Sequence, residues 1–157
     1  MTRIGVTGHQ GLPTDAIEEI TERVAGILRE LEPPLVGYSS LAEGADQLVA
    51  QLILDAGGQL HVVIPSKDYD TTFSGPPKHE YERLLSAASA TTDLSFPEPS
   101  EEAYDAAGKW VAEQCNVLIA VWDGLPARGL GGTADAVAHA RALGRDVRIV
   151  WPPGSQR

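Results

Sequence analysis

Residues Val117-Leu118-Ile119-Ala120-Val121-Trp122 form an apolar run with no polar residue at alternate positions. A strand with one wet face alternates, so an unbroken run of this length reads as a strand covered on both faces, the habit of parallel sheets. After it come Asp123, a loop, and Leu130-Gly131-Gly132-Thr133-Ala134-Asp135, which opens an alanine-rich helix. Backbone N–H groups at a helix start lack intrahelical partners and carry the positive end of the macrodipole. Paired glycines let an anion approach them, and Thr133 adds a hydroxyl donor. The expected object is a phosphate-sized anion cradle at the carboxyl end of a parallel strand.

The rest of the chain supplies the sheet. Arg3–Thr7 reads as a first buried strand, ending in Gly8-His9-Gln10-Gly11. A helix follows from Pro13-Thr14-Asp15, with Asp15 and Glu18 at capping-box spacing and Ile17, Ile20, Val24, Ile27, Leu28 and Leu31 in helical period. Pro33-Pro34 stops it, and Leu35–Tyr38 is the second strand. Ala45, Leu48, Val49, Leu52, Ile53 and Ala56 mark a second helix, closed by Gly57-Gly58. Leu60–Ile64 is the third strand, followed by a long Pro-, Gly-, Ser- and Thr-rich loop from Ser66 to Pro77. Loops of that length are usually functional or disordered, and Tyr69 and Phe73 within it would form a lid over a ligand or pin the loop to the body. A helix near Lys78–Ala88, a weak strand near Asp93–Phe96, a helix over Glu101–Gln114, the helix after Thr133 and a strand from Asp146 to Trp151 complete the series. Alternating strands and helices imply an α/β, Rossmann-like fold: a mainly parallel sheet with helices on both faces, in a single domain over 1–153 with a tail at 154–157.

Composition narrows the setting. The 157 residues suffice for one substantial core, and the apolar runs are too short to cross a bilayer. Met1-Thr2-Arg3 leads straight into a strand, so no signal peptide is expected, and a cytoplasmic location follows. The lone Cys115 reads as a small buried hydrophobe, and no cofactor or metal is indicated. With 12 basic against 22 acidic residues the formal charge is −10, which argues against nucleic acid and anionic membrane as partners. A small phosphorylated ligand fits, because backbone amides bind it locally.

Ligands of such sheets bind at the carboxyl ends of the strands. Four loops fall on that edge: Thr7-Gly8-His9-Gln10, Ser39-Ser40-Leu41-Ala42-Glu43-Gly44-Ala45-Asp46, Trp122-Asp123-Gly124, and Gly131-Gly132-Thr133. Each candidate also has an ordinary role. His9 would bind phosphate or carry a proton, or simply bond to backbone. Ser39 and Ser40 suit turn or phosphate contacts better than nucleophilic attack, since no base accompanies them. Asp46 and Asp135 would complement helix dipoles or contact a ribose. Asp123, just after the strongest strand, would face the crevice, and Trp122 would stack on a base or fill the core. His61, His79 and His139 show no metal-like clustering.

Tyr38–Asp46 resembles the serine- and glycine-rich turn of DprA-type proteins, and Gly131-Gly132-Thr133 resembles the turn of LOG-type phosphoribohydrolases, which release base from cytokinin nucleotides. Both groups belong to the SMF/DprA–LOG (SLOG) superfamily of Rossmann-like nucleotide-binding domains. The resemblance runs from Gly5 to about Trp151 and implies phosphate against Gly131, Gly132 and Thr133. The LOG pattern places a glutamate where this chain has Ala136, with Asp135 one position early, a rotation of about 100° on a helix. It also places an arginine near Ala107, where Lys109 is the nearest cation, and its loop is shorter than the one here containing Arg128. DprA-type proteins bind single-stranded DNA, which calls for a positive groove.

Two readings follow. The first is a nucleotide- or nucleotide-derivative-binding, sensing domain, with Gly8, His9, Ser39, Ser40, Gly44, Asp46, Trp122 and Asp123 around the sugar and base. The second is a nucleoside 5′-monophosphate N-glycosidase, with Asp135 stabilising an oxocarbenium-like sugar and Lys109 or Arg128 neutralising the leaving side. Self-association through helices is expected of either.

Overall fold

Leu118 and Ala120 pack into one layer of helices, and Ile119 and Val121 into the other. All five residues of that strand are buried, which is why its sequence shows no alternation. The computed structural model describes residues 1–126 and 132–155. Among them are six strands, β1 (Thr2–Gly8), β2 (Leu35–Ser39), β3 (Gln59–Ser66), β4 (Ala90–Phe96), β5 (Val117–Val121) and β6 (Asp146–Val150). The five α-helices are α1 (Ile17–Glu30), α2 (Ala45–Asp55), α3 (Pro76–Ser86), α4 (Glu101–Gln114) and α5 (Thr133–Ala142).

The strands form one sheet in the order β4-β3-β2-β1-β5-β6, parallel throughout. The first three connections step one way along the sheet, and the last step carries the chain the other way. Right-handed crossovers then place α1, α2 and α3 on one face and α4 and α5 on the opposite one. The core obeys this. Ile20, Val24, Val49, Ile53 and Leu84 pack with Ile4, Val6, Leu60 and Val62. Ala107, Val111, Val137 and Ala140 pack with Val63, Leu118 and Ala120. The chain leaves β1 and β5 in opposite directions, so a crevice opens between their carboxyl ends.

Gly8 makes that crevice possible. A Cβ there would lie 2.4 Å from the Ala45 Cβ and 2.9 Å from the Val121 Cβ, so only glycine lets α2 start directly over the end of β1.

Some boundaries differ from the sequence reading. The capping-box spacing of Asp15 and Glu18 is not used as a cap, because Thr14–Ala16 forms a 3-10 turn and α1 starts at Ile17 without a side-chain cap. Helix α3 begins at Pro76, a residue suited to a first turn whose N–H groups need no helical partner. Strand β4 starts at Ala90, and as an edge strand of exposed and half-buried residues it leaves little hydrophobic signal. Cys115 is buried at the end of α4, as its sequence position suggests.

Candidate functional site

A cleft of about 590 Å³ lies over the carboxyl ends of the strands around the β1/β5 crevice. From β1 it is lined by Val6, Thr7, Gly8, His9 and Gln10. The His9 amide donates to the Val121 carbonyl at 3.1 Å and fixes the exit of β1 against that of β5. The imidazole Nε2 lies 3.2 Å from Asp123 Oδ1 and accepts from the Asp123 amide at 3.2 Å, with the Trp151 ring edge-on at 5.3 Å. Both side chains of this pair are under 10% exposed. Asp123 therefore does not line the cleft. Its Oδ1 also takes the Leu125 amide at 2.9 Å, so the carboxylate braces the loop after β5 and backs His9.

The turn after β2 is held from within. Ser39 is buried, and its Oγ accepts from the Leu41 amide at 2.9 Å, a bond that accompanies a left-handed Leu41 (φ 58°). Ser40 Oγ donates to Asp46 Oδ2 at 3.1 Å, and the Ala42 amide donates to the same oxygen at 3.4 Å. Tyr69 donates its phenol hydrogen to the Ser40 carbonyl at 2.9 Å. Gly44 has φ 90°, and a Cβ there would sit 2.1 Å from the Gln10 carbonyl oxygen. The first amide of α2, at Ala45, donates to the His9 carbonyl at 3.1 Å. The chain itself thus occupies the start of α2, and Ser39 and Gly44 shape the turn without lining the cleft.

Asp46 does line it, together with Ser40, Ala42 and Glu43. It is 7% exposed, and burial pushes its carboxyl up to about 7, against smaller lowering contributions from Ser40, the Ala42 amide and Ser39.

On the opposite side Gly132, Thr133 and Ala134 bring the start of α5 to the cleft. Thr133, the first residue of α5, is 8% exposed. Trp122 lines the cleft with its indole N–H donated to the Leu125 carbonyl at 2.9 Å, which pins the ring. Gly131 and Arg128 lie outside the described residues. Asp135 is half-buried in the first turn of α5 but is not among the cleft residues, and Ala136 faces the core. Lys109 is also away from the cleft, with its ammonium 2.9 Å from Asp105 on the surface of α4. The sequence motifs converge, but of the residues assigned to catalysis Asp135 and Lys109 do not line the cleft.

A second wall was not assigned from the sequence. Glu101, Tyr104, Gly108 and Val111 line the cleft along one face of α4. Their spacing places them on one side of a helix, and the mid-helix glycine after Ala106-Ala107 was the available signal. Tyr69, Thr72 and Phe73 close the remaining side. Tyr69 meets Phe73, Tyr81 and Tyr104 at ring distances of 5.2, 5.6 and 6.1 Å, and Phe73 stacks on Tyr81 at 4.4 Å. The loop after β3 is pinned to the body by aromatic packing and forms a wall. Glu43, Asp46 and Glu101 bring carboxylates to the cleft, and among the described residues no lysine or arginine lines it.

No family model and no curated protein sequence matches the chain. Solved structures do. The chain aligns over 99% of its length with DNA processing protein A from Streptococcus pneumoniae, at TM-score 0.69 and 22% identity, and spans about half (51%) of that protein. It aligns over 99% with DNA processing protein A from Helicobacter pylori, at TM-score 0.64 and 14% identity, covering 66% of it. The molybdenum cofactor carrier protein from Chlamydomonas reinhardtii matches over 97% of the chain and 78% of its own, at TM-score 0.60 and 18% identity. At these identities the shared property is the fold. The chain has a single-domain, Rossmann-like α/β fold, with its cleft at the switch point of the sheet.

One expectation is overturned. The acidic composition argued for no nucleic acid, yet the Helicobacter pylori protein of this fold is described by its single-stranded DNA binding mode. Net charge averages over the whole surface and does not decide what a local cleft with backbone amides and aromatic rings accepts. Among the described residues no helix is long and apolar enough to cross a membrane.

Proposed function

We propose that this protein binds a nucleotide or nucleotide derivative in the cleft, with a phosphate at the start of α5, and acts as a sensing domain. Thr133 carries the reading. As the first residue of α5 it lies in the cleft lining beside Gly132 and Ala134. The start of α5 adds the positive end of a helix dipole, which suits an anion. The start of α2 is already engaged by the chain, with the Ala45 amide donating to the His9 carbonyl and the Gln47 amide to the Ala42 carbonyl. Tyr69, Phe73 and Tyr104 offer ring surface for a base.

The N-glycosidase alternative draws support from a different residue than the sequence suggested. Asp135 is not in the cleft, while Asp46 is, with a carboxyl pushed up to about 7, the range suited to proton transfer near neutrality.

Ligand-observed NMR with a panel of 5′-mononucleotides and a short DNA single strand, followed for hours, tests both. Line broadening by intact mononucleotides is the expected result. Release of free base and ribose 5-phosphate would make the protein a hydrolase. Binding of the DNA strand alone would replace the mononucleotide by a polymer.

A further inference from the structure

Two glycines around the cleft are demanded by the fold: a Cβ at Gly8 or Gly44 would overlap its neighbours, at 2.4 and 2.1 Å. Gly108 is different. It sits in the middle of α4, where a glycine weakens a helix relative to alanine. Outside the helix's own backbone and its chain neighbours, a Cβ there would meet one atom of the described residues within 4 Å. That atom is the Ala136 Cβ at 3.7 Å, an ordinary contact. Packing therefore leaves room for a methyl group at a residue that lines the cleft. Tyr104, four residues earlier, and Val111, three residues later, line the same cleft. Along this helix face Gly108 is a notch between two larger side chains.

Resting on the phosphate reading above, we propose that Gly108 determines which ligands fit: the bare backbone of α4 admits the sugar–phosphate end of a nucleotide beside the start of α5. Ala136 sets the location. It lies three residues after Thr133 in α5, and positions so spaced share a helix face about 5 Å apart. The notch thus opens about one helical turn from the residue to which that reading assigns the phosphate. A glycine at such a place lets a ligand approach the backbone closely. A side chain at 108 takes up the ligand's volume and leaves the fold intact.

The test separates binding from stability. The four 5′-ribonucleoside monophosphates and ribose 5-phosphate are titrated by calorimetry into wild type, Gly108→Ala, Gly108→Leu and Gly26→Ala. Gly26 is the control, a glycine of α1 outside the cleft whose Cβ would meet only the Arg29 Nη2 at 3.8 Å. Both alanine variants should raise the urea midpoint by about 0.3 to 0.6 M, the gain of alanine over glycine within a helix. Only the Gly108 variants should lose affinity. Gly108→Ala should weaken the nucleotides and ribose 5-phosphate alike by at least about fivefold, and Gly108→Leu by at least about a hundredfold, as overfilling a packed site does. Wild-type affinity in both Gly108 variants would overturn the assignment and leave the phosphate reading standing. Weakened nucleotides with unchanged ribose 5-phosphate would place Gly108 at the base and overturn it too. A lowered urea midpoint in Gly108→Ala would show that the glycine serves helix packing, against the proposal. If the wild type binds none of these ligands, both readings fall. Should Gly108→Leu not fold, Gly108→Ala decides by itself.

Discussion

Replacing Asp46 by Asn should stabilise the fold above neutral pH. Burial pushes the Asp46 carboxyl from its ordinary 3.8 to about 7, outweighing the bonds from Ser40 and Ala42 that favour the charged form. Between these values the folded protein keeps a proton that the unfolded chain has released. The stability contributed by the neutral acid is therefore complete below pH 3.8 and is lost progressively as pH rises toward about 7. Roughly three decades of proton affinity at about 1.4 kcal/mol each give a loss of about 4 kcal/mol between pH 4 and pH 8. Water entering the open cleft eases the burial, so about 2 to 4 kcal/mol is the expected range. Urea unfolding of wild type and Asp46→Asn at pH 4 and pH 8 measures it. Every other titrating group is common to both proteins, so the difference between them isolates Asp46. The variant should gain about 1 to 2 M in midpoint at pH 8 and little at pH 4. Parallel pH dependence of the two proteins, or an Asn variant less stable at pH 8, would refute the reasoning.

Three further outcomes follow from the packing and the cleft. Gly8→Ala places a methyl 2.4 Å from the Ala45 Cβ, and should cost about 1 to 3 kcal/mol in urea unfolding by forcing α2 off β1. Lys109→Ala should leave nucleotide affinity and any turnover unchanged, as read by calorimetry and product NMR, because the ammonium is committed to Asp105 outside the cleft. Cys115, 1% exposed and with its thiol pushed up by burial, should resist a disulfide reagent in the native state and react fully once the chain is unfolded in urea.

What the sequence made legible follows what burial dictates. Val117–Val121 announces a central strand because both its faces are covered, and the period of Val49 and Ile53 announces α2 because one face meets the sheet. The strand-end loops were found for the same reason, since strand ends follow once strands are placed. The partners inside those loops were not legible. His9 and Asp123 lie 114 positions apart, and no local pattern says that the carboxylate turns to the histidine and the Leu125 amide rather than into the crevice. Tyr69 reaches Ser40 across 29 positions. The α4 wall escaped because a cleft lining of Glu101, Tyr104 and Gly108 leaves no hydrophobic period. Lys109 and Asp135 show a related failure: closeness to a motif in sequence does not set the direction of a side chain on its helix. The nucleic-acid exclusion failed because an average over all charges was asked about one cleft.

The central claim is that a nucleotide phosphate sits at the start of α5. Amide NMR of labelled protein during titration with 5′-ribonucleoside monophosphates tests it most directly. The account predicts that the amides of Gly132, Thr133 and Ala134 move most, and that Thr133→Val weakens the binding. A saturable titration that leaves those three amides in place and shifts another surface, or the absence of any shift, would contradict it.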